Sequence, residues 1–568
     1  MMILNFDFGF RSLKVTGISL FILLFSPQDI FAQHAIPLNG NDNRNSDYYS
    51  NNLDIHSSVQ PALDVDLNGK SFKILDSTIE IPSGDKKLRH SYFSSYQLNY
   101  PRETFRNYYK KPSDTTAKAL GGEAAFLVRP IYDFTVGGDL TGKKAIYSAV
   151  AGAIIDADYK HKIGIELRVA GGNATLPNYL DSIARKSGTM PGWGDRAYAN
   201  GNGNYSFQHL SGNIVWRPSK IFNLQIGRDK HFWGDGYRSL FLSDAGAPMP
   251  YMKMTTTIWK LQYTSLFMMM QDWTNSNGSA NDFRNKYGTF HYISFNATKW
   301  LNIGVFESII WQGTDSHRMR GFDPNYLNPI TFYRPVEYSL GSPDNAMLGF
   351  AFKIRLNAKN QIYGQLLLDE FYLKEILARN GWWANKQGYQ LGYKSFNLHG
   401  ISSLNSQLEL NIVRPYTYSH GSPQQSYSDG GMPLGDPLGA NFAEVIGILS
   451  YNWKQFTFRA EFICAEYGLD PAGKDFGQNI FVSYLNRSST DPLHPLAVDY
   501  NHRLFDGLAT DLFYGELKAS YWLNTKFPLR AEFLVGARSE NNTVMGTKSS
   551  FYLQAGMSLP LWKTYRDY

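Results

Sequence analysis

Short segments of alternating polarity follow one another through most of the chain. In Ile163–Val169, branched apolar residues occupy every second position, and Glu166 and Arg168 stand between them. Phe456–Cys464 and Leu529–Val535 repeat this pattern. Because successive residues of a strand face opposite sides, each segment has one apolar wall and one charged wall. The pattern therefore predicts β-strands that are apolar on one face only.

The number and length of these segments favour a membrane barrel over a soluble sandwich. Many are ~9–13 residues long, which is enough to cross a bilayer at a tilt, whereas strands of soluble proteins are mostly ~5–6 residues long. We predict about eighteen strands, at 122–131, 145–158, 161–170, 205–217, 220–229, 251–259, 261–271, 286–296, 299–311, 346–356, 361–369, 386–397, 405–415, 441–452, 454–466, 508–523, 528–538 and 547–560.

The connections between the predicted strands alternate in length. Tight turns are predicted at Arg217–Lys220, Trp259–Lys260, Thr298–Lys299, Ala358–Asn360, Asn452–Lys454 and Leu523–Phe527. Between them lie long connections at 171–204, 230–250, 272–285, 312–345, 370–385, 416–440 and 467–507. Short periplasmic turns on one rim and long extracellular loops on the other are typical of outer-membrane barrels. We therefore predict an all-β fold, a transmembrane antiparallel barrel over residues 121–568.

The beginning of the chain has the order of an export signal. Arg11 and Lys14 precede the apolar stretch Val15–Phe25, and the small residue Ala32 follows. Basic, apolar and small residues in this order are typical of a secretory signal peptide, and the apolar stretch is too short to span a bilayer. We predict a signal peptide at 1–32.

Residues 33–120 are polar and irregular, and we predict that they form a periplasmic segment with a few short helices around Ser91–Tyr109. Cys464 is the only cysteine of the chain, so an internal disulfide is excluded.

Composition agrees with a barrel. Aromatic residues make up 15% of the chain, there are 50 glycines, and the mean hydropathy of −0.34 is too polar for a helical membrane protein. The net charge of +6 is spread thinly, and no run of basic residues indicates a nucleic-acid partner.

Both charge signs fall on the predicted inner wall. The residues concerned are Glu166, Arg168, Arg459, Glu461, Arg530 and Glu532. Opposite charges inside a barrel can pair with one another, which favours a largely filled lumen. A wide passive porin also has a polar lumen.

The connection after the fifth predicted strand is the densest candidate for a functional motif. It contains Trp233-Gly234-Asp235-Gly236, followed by Tyr237-Arg238, Ser239-Leu240 and Leu242-Ser243, and it leaves through Pro248-Met249-Pro250. We expect Gly234 and Gly236 to allow positive φ in a tight loop. This run resembles the signature segment of the Wzi family of outer-membrane capsule-assembly proteins, in which the first element is Trp-Gly-Pro-Gly. Asp235 stands at the position of that proline.

Further stretches resemble the Wzi-like branch that includes gliding-motility proteins of the RemB type. They are Leu368–Phe371, Gly381–Lys386, Tyr418–Gln424 and Pro433–Asn441. The resemblance covers the chain from about residue 120 to its end. It implies an eighteen-stranded barrel with a periplasmic N-terminal part, which holds capsular polysaccharide or exopolysaccharide at the cell surface.

Aromatic and polar residues in the long connections are the candidates for glycan contact. Aromatic faces can cover the C–H side of a sugar ring, while Asp and Arg can hydrogen-bond its hydroxyls. Alternatively, these residues fill the barrel mouth as a plug loop or belong to an interfacial girdle. For Trp233–Arg238 we favour packing over glycan contact. The candidates are Trp233, Asp235, Tyr237, Arg238, Trp382, Trp383, Tyr416 and Tyr418.

Enzymatic and metal-binding motifs are not found. The sequence has no His-Glu-x-x-His, no Gly-x-Ser-x-Gly and no cysteine pair. Asp369 with Glu370, or Asp235 with Asp244, could be imagined as the paired carboxylates of a glycosidase, but we interpret them as solvated loop residues. His231, His317 and His420 lack the spacing of metal ligands. We therefore expect no enzymatic activity, no metal and no cofactor.

One helix is predicted among the long connections. The helical periodicity of Asp369–Arg379 indicates a short helix that lies over or into the pore.

The function predicted from all of this is non-enzymatic. We expect an outer-membrane protein of a Gram-negative bacterium that binds or organises surface polysaccharide, in capsule assembly, adhesion or gliding motility. The partners expected are surface polysaccharide, outer-membrane lipid and, as further candidates, other outer-membrane proteins, with no nucleic acid. The alternatives are a diffusion or transport channel and an accessory protein of secretion or motility.

Overall fold

A computed structural model of the protein describes residues 56–60, 124–159, 163–219, 221–273, 276, 280–314, 321–327, 344–491, 493–523, 529–558 and 565–568. The predicted signal peptide and His317 lie outside the described residues, as does all of the predicted periplasmic segment except 56–60. Within the described ranges, every helix is too short or too polar to cross a membrane.

Eighteen antiparallel strands form a closed barrel within the described part of the chain. Each strand pairs with its neighbours in sequence, and the last pairs with the first, along Asp133–Asp139 and Tyr552–Ser558. In chain order they are β1 Ala124–Asp139, β2 Lys144–Tyr159, β3 Ile163–Thr175, β4 Asn204–Trp216, β5 Phe222–Asp229, β6 Met249–Ile258, β7 Leu261–Asp272, β8 Arg284–Asn296, β9 Leu301–Gln312, β10 Asn345–Asn357, β11 Asn360–Glu370, β12 Lys386–Ser395, β13 Leu404–Val413, β14 Phe442–Trp453, β15 Phe456–Leu469, β16 Leu508–Trp522, β17 Arg530–Asn542 and β18 Gly546–Ser558. The predicted fold class is confirmed.

The predicted and observed strands agree in number and order. The largest difference is β1, for which 122–131 was predicted although the strand continues to Asp139. Phe134 and Val136 extend its outward apolar face, where they are 48% and 68% exposed. Pairing with both β2 and β18 supplies hydrogen bonds that carry the strand beyond its predicted end.

The two faces of the barrel wall have opposite character. On β3, the outward residues Ile165, Leu167 and Val169 are 37–46% exposed, while the inward Glu166 and Arg168 are at most 7% exposed. Exposed apolar and buried charged side chains are the reverse of what a water-soluble protein shows. The outward face is therefore the lipid-facing surface of a membrane barrel.

Long and short connections lie on opposite rims. The turns 259–260, 358–359 and 454–455 lie on one rim, which we call the short-turn rim. The other is the long-loop rim, although 140–143 and 543–545 on it are short, and its long connections include 176–203, 230–248, 371–385, 414–441 and 470–507, of which residue 492 is not described.

The connections contain short helices, 3-10 turns and short strands. The helix α1 spans Asn178–Ser187 and buries Tyr179, Leu180 and Ala184, whereas α2 spans Leu373–Ala378, in the predicted helical stretch, and buries none of its residues. Single 3-10 turns occupy Ala280–Asp282, Pro324–Leu327, Leu398–Gly400, Pro423–Gln425 and Tyr484–Asn486. Short strands lie at Val59–Gln60, Tyr198–Gly201, Phe232–Trp233, Ser428–Asp429 and Met432–Pro433.

Candidate functional site

The connection between β5 and β6, residues 230–248, folds back into the lumen, and we call it the inner loop. Trp233 is fully buried, and its ring centroid lies 5.9 Å from that of Tyr292 on β8 and 6.1 Å from that of Phe306 on β9. Phe241 stacks on Phe306 at 4.6 Å. The first half of the predicted motif thus builds an aromatic core against the barrel wall.

Asp235 holds the inner loop against the wall through an ion pair and hydrogen bonds. Lys353 on β10 places its Nζ 2.7 Å from one carboxylate oxygen, and Ser58 donates its hydroxyl to the other at 2.7 Å. Lys394 on β12 donates to the main-chain oxygen of Asp235 at 2.5 Å. Burial by itself would raise the pKa of Asp235, but the nearby Lys353 and Ser58 hold this pKa below its usual value. Asp235, which stands where the similar Trp-Gly-Pro-Gly element has proline, therefore holds the inner loop in place.

Tyr237 and Arg238 join the inner loop to β13 and β15. Their main-chain N–H groups donate to the Glu409 carboxylate at 2.7 and 2.9 Å. The Tyr237 hydroxyl lies 2.8 Å from the carboxylates of both Glu461 and Asp567. The Arg238 guanidinium, 1% exposed, pairs with Asp567 at 3.0 Å. All of these groups are buried in the lumen.

The glycines of the motif act through their lack of a side chain. Positive φ was expected at Gly234 and Gly236, but this prediction is wrong, since neither residue has it. A Cβ at Gly234 would lie 2.6 Å from the Gln365 amide nitrogen, and one at Gly236 would lie 2.5 Å from a Glu409 carboxylate oxygen. At Gly236 the main-chain oxygen of Arg238 lies equally close, at 2.5 Å, so a side chain there would force the backbone to shift, whereas at Gly234 the side chains nearby would have to move aside.

Two distant parts of the chain also lie in the lumen. Val59–Gln60 forms an antiparallel pair with Phe232–Trp233, so this described part of the predicted periplasmic segment lies inside the barrel. From the other end of the chain, the Tyr565 hydroxyl donates to Asp244, and the Tyr568 hydroxyl accepts the Gly192 N–H at 3.0 Å.

Tyr416 and Tyr418 are fully buried as well, in the connection 414–441. The Tyr418 hydroxyl donates to the main-chain oxygen of Leu240 at 2.8 Å, and that of Tyr416 to the main-chain oxygen of Asp475 at 3.0 Å. Burial raises the pKa of both hydroxyls above the usual value. Six of the eight candidate residues are thus interior groups that, in this conformation, expose almost no surface to a glycan.

Most of the charges predicted on the inner wall form ion pairs. Arg168 pairs with Glu166 on its own strand and with Asp229 on β5 at 3.2 Å, and Arg459 pairs with Glu461. Glu532 pairs with Lys518 of β16 at 2.8 Å. The Arg530 guanidinium lies 3.9 Å from the centre of the Trp522 ring.

The remaining two candidates, Trp382 and Trp383, lie half-buried on the long-loop rim. The Trp383 ring packs against Tyr484 at 4.7 Å between centroids, and the Arg487 guanidinium lies 4.3 Å from its centre. Trp382 contacts Tyr372 at 6.0 Å. These two tryptophans are the candidate residues that retain accessible surface.

A cavity of about 350 Å³ lies on the same rim, and Gly381, which directly precedes the two tryptophans in sequence, is among its lining residues. Two main-chain bonds shape it, from Asn501 N–H to the Asn380 oxygen and from His502 N–H to the Gly381 oxygen, each 2.9 Å long. Gly381 has a φ of +67°, and a Cβ there would lie 2.8 Å from the His502 nitrogen. The polar residues that line the cavity include Arg379, Asn385, Gln387, Arg414, Asn501 and Arg503.

Sequence reasoning missed this cavity. Its arginines come from three connections, and the only local signal was the predicted helix that precedes Arg379.

The interpretation of the paired carboxylates as solvated loop residues is wrong for Asp235, Asp244 and Asp369, which are at most 6% exposed and have structural partners. Asp369 accepts the Tyr418 N–H at 2.8 Å, and Lys386 lies 3.3 Å from Glu370. Asp235 and Asp244 pair with Lys353 and Tyr565.

The histidines of the described part of the chain do not assemble a metal site. Burial lowers the pKa of His420 to about 4 and that of His231 well below its usual value. Within the described ranges, no group of three or more His, Cys, Asp or Glu side chains is arranged to hold a metal ion.

No protein-family model matches the chain, and no curated protein matches it by sequence. Several solved structures resemble it. Alignments with the Pseudomonas aeruginosa proteins OprD and OccK5 (OpdH) cover 76% and 78% of this chain and 94% and 99% of theirs, at 10% and 8% identity and TM-scores of 0.39 and 0.41. Wzi of Escherichia coli, described as a carbohydrate-binding β-barrel involved in group 1 capsule assembly, aligns over 93% of this chain and 100% of its own at 15% identity and a TM-score of 0.53. The chain is therefore similar in fold to the Wzi barrel.

Proposed function

We propose that the protein is a non-enzymatic outer-membrane protein of a Gram-negative bacterium that binds or organises surface polysaccharide. The observation that carries this proposal is a cavity lined in part by arginine and amide side chains, on the long-loop rim that also holds two half-buried tryptophans. Long loops of outer-membrane barrels face the exterior. The likeness in fold to a carbohydrate-binding barrel of capsule assembly supports the same reading.

In this function the barrel serves as a rigid anchor, because the inner loop is tied to the wall by buried charges. The loops of the long-loop rim supply weak stacking and hydrogen bonds to sugar rings. A polymer repeats its unit many times, so several weak contacts along one chain add up to firm retention. Capsule assembly, adhesion and gliding motility are the settings in which such retention would be used.

A deletion strain tests the proposal in cells. Capsule staining and the amount of polysaccharide in the medium are compared between the parent, the deletion strain and a complemented strain. We expect the deletion to shift polysaccharide from the cell surface to the medium and complementation to restore it. Unchanged retention together with unchanged adhesion would contradict the proposal.

A transport channel is the second candidate, and the polar, charged character of the inner wall is the observation in its favour, since porins also have polar lumens. Planar-bilayer conductance of the purified protein separates the two functions. Large stable openings would favour the channel, whereas a silent bilayer together with polysaccharide binding would favour the anchor. An accessory protein of secretion or motility would bind a protein partner. Two pull-downs, one with surface polysaccharide and one with outer-membrane proteins, test this role.

A further inference from the structure

The cavity on the long-loop rim is rich in guanidinium groups. Arg379 follows α2, Arg414 follows β13, and Arg503 lies near the end of the connection 470–507. Within the described part of the chain, none of the three forms an ion pair with a carboxylate. Glu375, the acidic residue of the lining, accepts a hydrogen bond from the Asn380 side chain. The cavity thus presents more positive charge than its own acidic groups take up.

Arg414 is held in a fixed position among these groups. Its Nε donates to the main-chain oxygen of Asn385 at 2.7 Å, which orients the planar guanidinium. Burial lowers the pKa of Arg414, while the nearby Tyr389 and Asp506 act in the opposite direction. Because the Nε makes the bond to Asn385, the two terminal nitrogens of the guanidinium can donate to the two oxygens of a carboxylate.

Neutral polar groups complete the lining. Side-chain amides of Asn385, Gln387 and Asn501 can donate to and accept from hydroxyl groups. His502 is 1% exposed, its Nε2 lies 2.8 Å from the Val498 oxygen, and its Nδ1 has no partner among the described residues. Burial lowers the pKa of His502, so the ring is neutral. With Nε2 donating to Val498, Nδ1 remains as an acceptor for a hydroxyl.

We infer that this cavity binds a carboxylate-bearing sugar residue, such as a uronate, within a surface polysaccharide. The three guanidinium groups take the carboxylate, and the amides and His502 take the hydroxyls. The volume of about 350 Å³ lies at the lower end of the usual range for small-ligand pockets, ~300–1,000 Å³, so the cavity holds a short part of a polymer. This inference rests on the proposed function and adds to it the chemical class of the sugar.

The test compares the surface polysaccharide purified from the protein's own cells with the same polymer after its carboxyl groups have been reduced to primary alcohols. Binding to the whole protein in detergent is measured by calorimetry at constant salt. We expect the native polymer to bind at least about ten-fold more tightly than the reduced one, the equivalent of about 1.4 kcal/mol. The double variant Arg379→Gln with Arg503→Gln is expected to lower this ratio to about three, because Arg414 remains to bind the carboxylate.

A matched control removes the same charge from the same two connections but away from the cavity. Lys374 on α2 and Lys474 in the connection 470–507 are exposed and absent from the lining. The double variant Lys374→Gln with Lys474→Gln is expected to keep the full ratio. If both double variants lose the ratio equally, a diffuse positive surface accounts for binding and the cavity is not the site.

Two outcomes separate this inference from the proposed function. Equal binding of the native and reduced polymers to the unaltered protein would overturn the acidic-sugar site while polysaccharide binding itself stood. Absence of binding for either polymer would overturn both.

Discussion

The inner loop and the long-loop rim contain the same kinds of residue in opposite environments. Trp233 and Arg238 of the inner loop are at most 1% exposed, Trp233 packing against Phe306 of β9 and Arg238 pairing with Asp567. Trp382 and Arg379 of the rim keep accessible surface. In both regions a tryptophan stands a few residues from an arginine, yet one pair serves the packing of the barrel and the other faces the outside.

The partners explain this difference. Asp235 and Arg238 of the inner loop each meet an opposite charge, Lys353 on the wall and Asp567 near the end of the chain, because an unpaired charge in a closed interior costs several kcal/mol. The rim arginines remain in contact with solvent and need no such partner. A buried charged pair therefore indicates anchoring, whereas an uncompensated cationic cavity at a rim indicates binding.

Arg238→Ala should have the largest effect. It leaves Asp567 and Glu444, which lie 3.0 and 3.7 Å from the guanidinium, without their buried cation. We expect a loss of about 3–5 kcal/mol in the free energy of unfolding. Urea unfolding in lipid vesicles, followed by tryptophan fluorescence, measures it.

The control is Arg185→Ala on α1, where the ion pair with Asp181 is solvent-exposed. This variant should leave stability nearly unchanged. Equal losses of stability in Arg238→Ala and Arg185→Ala would mean that the burial of an ion pair does not determine how much it contributes to stability.

Tyr237→Phe should have a smaller effect of the same kind. It removes the hydroxyl that lies 2.8 Å from the Glu461 and Asp567 carboxylates and leaves the ring in place. Hydrogen bonds to charged groups contribute about 1.5–3 kcal/mol, and we expect a loss of that size in the same unfolding experiment. Tyr372→Phe, at a half-exposed ring on the rim, should change little. A Tyr237→Phe protein as stable as the parent would show that the hydroxyl contributes no net stability.

Asp475 should make one rim connection sensitive to pH. Burial and then the nearby Asp470 raise its pKa to about 7. Because the folded pKa exceeds the unfolded value of about 3.9, the stabilisation is full below that value and is lost as pH rises through about 7. Amide exchange in the connection 470–507, corrected for intrinsic rates, should therefore be slower at about pH 5 than at about pH 8.

Asp475→Asn keeps an oxygen for the Gly477 N–H and should abolish this pH dependence. Asp491→Asn is the matched control, since Asp491 lies in the same connection and its hydrogen bonds to His494 and to Leu493 N–H lower its pKa. An unaltered pH profile in Asp475→Asn would show that another group titrates.

The barrel could be predicted from sequence because its signal is local. Alternation in Ile163–Val169 is visible within seven residues, and it separates the lipid-facing side from the lumen before any partner is known. Observed burial follows this alternation, with Leu167 exposed and Glu166 buried. Strand ends were harder, as β1 shows, because its last residues depend on pairing with β18, at the other end of the sequence.

The sites depended on contacts that the sequence does not display. Asp235 and Lys353 are 118 positions apart, and nothing near either residue indicates the other. The same holds for Arg379, Arg414 and Arg503, which meet only because three connections converge. The motif around Trp233 identified a densely packed loop, but the direction in which the loop folds depends on the shape of the lumen.

Trp382→Ala should have the smallest effect on stability and a clear effect on binding. Its ring contacts Tyr372 and Trp383, and such aromatic pairs contribute about 0.5–1.5 kcal/mol each. We expect a comparable small loss of stability, and affinity for the surface polysaccharide lower by about 3- to 10-fold if the ring stacks on a sugar.

Trp453→Ala is the control, because Trp453 is 48% exposed on the short-turn rim, where it stacks on Phe456 at 5.9 Å. It removes an equivalent ring from the opposite end of the barrel and should leave affinity unchanged. Equal affinities of the two variants would mean that the tryptophans of the rim, like those of the lumen, serve packing alone.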